Sequence, residues 1–150
     1  MNMVLPTAEA LRALGYALGQ VVAPGTAIGL TGDLGAGKTC FAQGLAAGLG
    51  ITGPIPSPTF VLVCRYDTGR LTLWHADLYR LEDQSALDQL ALDEVLEAGG
   101  VVAVEWPDRF PGLLPDDRLD VRLDHHPDGR EVTLAATGPA HAALLERLRG

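Results

Sequence analysis

The sequence has little cysteine and no long apolar run. Its two cysteines, Cys40 and Cys64, are too few for a disulfide framework and do not form a CxxC pair. No stretch approaches the roughly 18 consecutive apolar residues of a membrane span, and the amino-terminal residues lack the basic cluster and apolar run of a secretory signal. With 47% hydrophobic and 20% charged residues in a chain of 150, these absences predict one soluble domain, residues 1–150, in the cytoplasm.

Positive charge is also scarce. Eleven basic residues face nineteen acidic ones, which gives a formal net charge of −8. Such a surface repels phosphate backbones, so the chain alone is not expected to bind nucleic acid. Among the basic residues Lys38 is the single lysine and all others are arginine. A chain that uses arginine wherever a general positive charge suffices must need lysine at position 38 for a specific reason.

The apolar patterns along the chain predict helices and strands in alternation. Residues 26–31 form a short apolar run bounded by glycines, which is typical of a buried strand, and residues 38–49 have helical composition. A glycine-rich turn therefore lies between a strand and a helix. The other predicted elements are a helix at 7–20, one or two helices at 82–98, a closing helix through 149, a strand at 101–104, and hairpins of 60–66 with 70–77 and of 118–125 with 130–137.

The glycine-rich turn, G-D-L-G-A-G-K-T, matches the phosphate-loop pattern GxxxxGK[ST] in full. Its glycines let the backbone turn N–H groups inward around a phosphate, and the following helix adds its positive dipole end. Lys38 would place a compact ammonium on the β- and γ-phosphates, and Thr39 would offer a hydroxyl to Mg²⁺. The motif predicts nucleotide binding. The candidate cofactor-binding residues are Gly32, Asp33, Leu34, Gly35, Ala36, Gly37, Lys38, Thr39 and Cys40.

Two carboxylates are candidates to order the Mg²⁺ shell beside this loop. Glu105 ends the strand at 101–104, and a carboxylate that ends a central strand emerges at the edge of the sheet; a solvent-exposed acid is the alternative. Asp77 ends another strand, with a helix-capping turn aspartate as its alternative. Asp33 lies inside the loop, and its carboxylate is expected to point away from the phosphates because like charges repel.

The roles of Thr59 and Trp106 are open on the residues alone. Thr59 follows the phosphate-loop helix, where P-loop proteins place a segment that senses the γ-phosphate, but a plain connecting loop explains it equally well. Trp106 could cover the site, although a core position is favoured. Guanine recognition usually needs an Asn-Lys-x-Asp segment. Because Asn2 and Lys38 are the only residues of their kinds, that segment is impossible, which favours adenine.

Four motifs in a fixed order carry a family resemblance. They are G-D-L-G-A-G-K-T (32–39), S-P-T-F (57–60), H-A-D-L-Y-R-L (75–81) and V-E-W-P-D-R (104–109). Together they resemble the TsaE family, formerly YjeE, the small bacterial ATPases of the tRNA threonylcarbamoyladenosine pathway. The resemblance implies an α/β fold, a P-loop NTPase-like three-layer sandwich with a mixed, mainly parallel sheet plus antiparallel hairpins.

The same resemblance implies function. It implies binding of ATP and Mg²⁺, weak ATP hydrolysis that partners stimulate, and assembly with TsaB- and TsaD-like proteins that bind the tRNA themselves. The catalytic set that it implies is Lys38 on phosphate, Asp77 near the water or metal, Glu105 on Mg²⁺ together with Thr39, and Thr59 in the switch loop. It also implies nucleotide contacts by Trp106 and Arg130.

Two other classes of function compete with this interpretation. A small-molecule kinase would need an acceptor pocket and an arginine-bearing lid, for which Arg65, Arg70 and Arg80 are the available residues. A nucleotide sensor would bind ATP as a module without hydrolysing it. Transfer of phosphate to an acceptor would identify the kinase, and absence of turnover would identify the sensor.

Overall fold

The computed structural model describes residues 1–33, 35–52, 63–78, 92–109 and 112–150, and these form a sheet with helices. The strands are β1 Asn2–Leu5, β2 Ala27–Thr31, β3 Val63–Tyr66, β4 Leu73–Asp77, β5 Val101–Glu105, β6 Leu119–His126 and β7 Gly129–Ala136. The helices are α1 Ala8–Val21, α2 Lys38–Gly48, α3 Leu92–Glu97 and α4 Pro139–Arg149, with a 3₁₀ turn at Pro107–Arg109. None of the helices in this part of the chain is long and apolar enough to cross a bilayer.

The seven strands form one mixed sheet in the order β1-β7-β6-β2-β5-β4-β3. Its four central strands, β6, β2, β5 and β4, run parallel. Antiparallel pairs of β6 with β7, β7 with β1, and β4 with β3 extend it on both sides. This topology confirms the predicted α/β fold and both predicted hairpins. The parallel centre brings the carboxyl ends of β2, β4 and β5 to one edge.

Helices cover both faces of the sheet. On one face, α1, α2 and α4 pack over apolar side chains that include Ile28 and Leu30 of β2. On the other face, α3 packs over Ala27 and Val102. Of the predicted helix at 82–98, the described part begins at Leu92. The three layers follow from strands that are apolar on both faces, as buried parallel strands are.

The glycines of α1 and α2 let these two helices approach closely. A Cβ at Gly15 of α1 would lie 2.4 Å from the carbonyl oxygen of Phe41, and one at Gly44 of α2 would lie 2.1 Å from that of Arg12. Any larger residue at these positions would push the helices apart. The close packing fixes α2, and with it the start of α2, against the sheet.

Strand β1 is the element that the sequence patterns miss. It has four residues whose side chains alternate between exposed and half-buried, and it pairs with β7 at the edge of the sheet. Such a short run has too few apolar residues for the alternation to stand out. Its pairing depends on β7, which lies far away in sequence.

Candidate functional site

The phosphate loop joins the end of β2 to the start of α2. Gly32 has φ of 147° and Gly37 has φ of 107°, a left-handed backbone that favours glycine. A Cβ at Gly32 would lie 2.4 Å from the carbonyl oxygen of Leu123, and one at Gly37 would lie 2.4 Å from Leu11 Cδ2. The N-cap residue of α2 is Gly37, which has no side chain to cap the helix. The first N–H groups of the helix and its dipole therefore point at the loop.

Lys38 lies in this loop and is only 5% exposed. Its Nζ donates to the carbonyl oxygens of Gly32 at 2.5 Å and of Asp33 at 3.0 Å. Burial lowers the pKa of Lys38, and the negative charges of Glu105, Asp77 and Asp33 oppose that shift. The lysine thus combines a buried ammonium with three nearby carboxylates, while Asp33 itself is exposed.

Asp77 and Glu105 lie side by side where β4 and β5 end. The two residues are directly paired in the parallel register, and Leu30 of β2 pairs with Glu105 on its other side. Asp77 is 7% exposed and Glu105 4% exposed. Because Leu30 packs with the α2-side core, the carboxylates lie on the face of the sheet that carries α2. The sequence offers each carboxylate as a separate candidate, and the structure brings the two together near Lys38.

Trp106 has a strained backbone beside this carboxylate edge. Its φ of 61° is the one left-handed value outside glycine among the described residues, and bulky residues rarely adopt it. The Trp106 N–H donates to Leu30 O at 3.2 Å. Lys38 Nζ lies 4.4 Å from the centre of the indole ring. The residue packs against the core as well, so it joins the core to the lysine.

Arg130 and Cys40 are two further predicted contacts, and they have different hydrogen-bond partners. Arg130 Nη2, on β7, donates to Gly35 O at 3.2 Å, so this side chain touches the loop backbone. Cys40 Sγ donates to Ala8 O at 3.3 Å, which directs the thiol toward α1. Thr39 is the second residue of α2 and is half-buried. Leu34 and Thr59 lie outside the described residues.

His75 is a site residue whose role the sequence patterns miss. It is fully buried on β4, and its Nε2 lies 2.7 Å from Glu105 Oε2. The signal was present in the sequence: His75 and Asp77 are two residues apart on one strand, so they share a face. The sequence does not reveal the register of β4 and β5, which places Glu105 diagonally opposite His75.

Two of the three arginines that a kinase lid could use, Arg70 and Arg65, have partners elsewhere in the structure. Arg70 donates from Nη2 to Gly19 O and to Val22 O, both at 2.9 Å, which ties it to the end of α1. Arg65 lies 5.5 Å from the ring centre of Trp74. Arg80 lies outside the described residues.

The sequence model of the family described as "Threonylcarbamoyl adenosine biosynthesis protein TsaE" matches residues 5–132. The chain belongs to the TsaE family. This membership confirms the family predicted from the four motifs. The family suggests a P-loop nucleotide-binding protein, in agreement with the loop geometry.

Relatives and a solved structure extend the match. The protein named "tRNA threonylcarbamoyladenosine biosynthesis protein TsaE" of Bacillus subtilis is 44% identical over 126 residues, 83% of this chain and 78% of the relative. The protein of the same name from a Nostoc species is 43% identical over 131 residues, 85% and 80% of the two chains. The crystal structure of YdiB from Bacillus subtilis superposes with a TM-score of 0.86 at 34% identity, and covers 99% of this chain and 93% of that one.

Proposed function

We propose that this chain is a P-loop ATPase that serves the synthesis of threonylcarbamoyladenosine in tRNA, the process in the names of its relatives. The observation that carries the proposal is the buried Lys38, held in a glycine loop at a helix N-terminus whose N-cap is Gly37, with Glu105 and Asp77 nearby. This combination has a use in phosphoryl transfer and none in packing.

The loop residues divide the work of binding the triphosphate. The backbone N–H groups of residues 32–39 would surround the phosphates, and Lys38 Nζ would contact the β- and γ-phosphates. To do so the ammonium must exchange its hydrogen bonds to Gly32 O and Asp33 O for phosphate oxygens. Arg130, which already contacts Gly35 O, and the ring of Trp106 would lie beside the nucleotide.

The oxygen groups at this edge suit Mg²⁺. Mg²⁺ is usually held by one or two protein oxygens together with water and phosphate oxygens. The hydroxyl of Thr39, at the start of α2, and the buried carboxylate of Glu105 would serve as ligands. When bound, Mg²⁺ would neutralise charge that develops on the phosphates. Asp77, paired with Glu105 in register, would hold the attacking water or the metal shell.

Hydrolysis is expected to be slow for the chain alone. P-loop proteins hydrolyse ATP slowly when no arginine or glutamine is positioned at the attacking water, and we expect the partner proteins to complete that arrangement. The net charge of −8 disfavours direct tRNA contact. TsaB- and TsaD-like proteins would therefore both carry the tRNA and stimulate turnover.

ATP hydrolysis with and without the partner pair tests the proposal. We expect low release of inorganic phosphate by the chain alone, a clear increase with TsaB- and TsaD-like proteins, and loss of turnover in Glu105→Gln with the Mg²⁺-free ATP affinity retained. Brisk hydrolysis that ignores the partners would contradict the accessory role. Phosphate transferred to an acceptor would instead support a kinase, and binding without turnover in any mixture would support a sensor.

A further inference from the structure

His75 is a polar side chain in the interior of the molecule. Its exposed fraction is 0%, and its neighbours along β4, Trp74 and Ala76, face the opposite side of the sheet. An imidazole removed from water is unfavourable unless its nitrogens find hydrogen-bond partners. A hydrophobic residue would fill the position without that requirement, so the histidine calls for an explanation.

The register of β4 and β5 directs His75 at Glu105. His75 pairs with Ala103, and Glu105 lies two residues further along β5, hence on the same face. The diagonal neighbours meet through Nε2 and Oε2 at 2.7 Å. The main chain of Glu105 is already fixed, because its carbonyl accepts from Leu78 N at 3.0 Å and it pairs with Leu30 of β2. The contact with His75 therefore acts on the side chain of Glu105.

The two ring nitrogens of His75 have different surroundings, and the difference indicates which of them carries the hydrogen. Nδ1 is buried and has no hydrogen-bond partner among the described residues. A carboxylate oxygen can only accept, so the nitrogen beside Glu105 must carry the hydrogen. An N–H at Nδ1 would be buried without an acceptor. An unprotonated Nδ1 without a donor costs less free energy. The geometry favours the tautomer with hydrogen on Nε2.

We propose that His75 is a positioning residue, which fixes the carboxylate of Glu105 at the phosphate-loop edge through a hydrogen bond from Nε2–H to Oε2. This inference rests on the proposed function, in which Glu105 holds Mg²⁺. In this role His75 would act through Glu105 and would not itself bind the nucleotide or the metal. Hydrogen bonds that orient a ligating side chain commonly change metal affinity by about 10- to 100-fold when they are removed.

The tautomer can be measured on the unliganded chain. Long-range ¹H–¹⁵N spectra distinguish a protonated ring nitrogen from a bare one. We expect His75 to carry its hydrogen on Nε2 and His141 to carry it on Nδ1, since His141 Nε2 accepts from Ala27 N at 3.0 Å. Signals are assigned with His75→Gln and His141→Gln. A hydrogen on Nδ1 of His75 would overturn the proposal whatever the chain binds.

The contribution of Mg²⁺ to ATP binding is measured as the ratio of the ATP dissociation constants without and with Mg²⁺. Variants of His75 test whether this ratio depends on the hydrogen bond to Glu105. In His75→Leu we expect that ratio to shrink by about 10- to 100-fold, while Mg²⁺-free affinity stays unchanged because the loop is intact. His75→Gln, whose amide can donate from the Nε2 position, should restore the ratio. His75→Asn, an amide too short to reach, should not. His141→Leu is the matched loss of a buried histidine and should leave the ratio unchanged.

The outcomes separate this inference from the proposed function. An unchanged ratio in His75→Leu, or equal ratios in His75→Gln and His75→Asn, would overturn positioning by His75. If His75→Leu does not fold, the two amide variants decide between the alternatives. If the wild-type chain binds ATP with no dependence on Mg²⁺, the metal role of Glu105 fails and positioning toward Mg²⁺ fails with it. The ring-nitrogen spectrum then decides separately whether the hydrogen bond itself exists.

Discussion

The N-termini of α2 and α4 are built in opposite ways. At α4 the carboxylate of Asp117 accepts from Ala140 N at 2.9 Å and from His141 N at 3.2 Å, so the protein supplies its own negative charge. At α2 the N-cap residue is Gly37, which has no side chain to cap the helix, and the first residue is the cation Lys38. A helix end that serves only the fold is completed by the protein, whereas the α2 end leaves its N–H groups for a ligand anion.

The buried histidines His141, near α4, and His75, near the start of α2, also differ in how completely they are hydrogen-bonded. His141 Nδ1 lies 2.8 Å from Asp117 Oδ1, and Nε2 accepts from Ala27 N, so both ring nitrogens are paired. His75 pairs through Nε2 alone among the described residues. The structural histidine joins α4 to β2, and the other histidine directs one carboxylate. Incomplete pairing of buried polar groups is more often found at functional sites than in structural regions.

The largest effect is expected where the α2 end meets its ligand. Lys38→Ala removes a charge-assisted contact to phosphate and should weaken ATP binding by about 2–4 kcal/mol, measured by titration calorimetry. Arg122→Ala is the matched control, since it removes one positive charge from a side chain that is 69% exposed. If Lys38→Ala bound ATP as tightly as the wild-type chain does, the loop would not be the site that binds the nucleotide.

The next effect concerns the α4 region. His141→Leu leaves the buried N–H of Ala27 without its acceptor, and should lower the free energy of unfolding by about 1–3 kcal/mol in urea denaturation. ATP affinity should stay unchanged. If His141→Leu kept full stability but lost nucleotide binding, the α4 region would serve ligand binding and not only the fold, which would contradict the comparison with α2.

A smaller effect is expected at Trp106, whose ring lies beside Lys38. Trp106→Phe weakens the cation–π contact and should change ATP affinity by at most about 1 kcal/mol. Intrinsic fluorescence provides the clearer measurement. The response to ADP should persist in Trp74→Phe and disappear in Trp106→Phe. The reverse pattern would place the nucleotide away from the loop.

The smallest effect is the pH dependence of the α4 cap. Desolvation opposes ionisation of Asp117, but the N–H of Ala140 and the N–H and ring of His141 outweigh it and lower the pKa of Asp117 below 3.8. A lowered folded-state pKa adds stability above the unfolded-state value, and that stability is lost as pH falls through the folded-state value. The stability difference between wild type and Asp117→Asn should therefore shrink as pH falls below 3.8. A constant difference across that range would contradict the cap.

The sequence predicted the parts of the site that depend on local chemistry. The phosphate loop between a strand and a helix is a local pattern, and so are the acids at the ends of β4 and β5. The parallel pairing then brings Asp77 and Glu105 together. Strand β1 and the partner of His75 depend on register between distant segments, which no local pattern contains. The position of Trp106 beside Lys38 depends on the left-handed backbone of Trp106. Because bulky residues rarely adopt that conformation, the residue type alone would not predict it.

A crystal structure with a non-hydrolysable ATP analogue and Mg²⁺ would show whether the loop of residues 32–39 binds the triphosphate. We expect the β- and γ-phosphates within this loop, with Lys38 Nζ on phosphate oxygens in place of Gly32 O and Asp33 O, and with Mg²⁺ against Thr39 and Glu105. An analogue bound elsewhere, or a loop in which Lys38 keeps both carbonyl contacts at saturating analogue, would contradict this expectation.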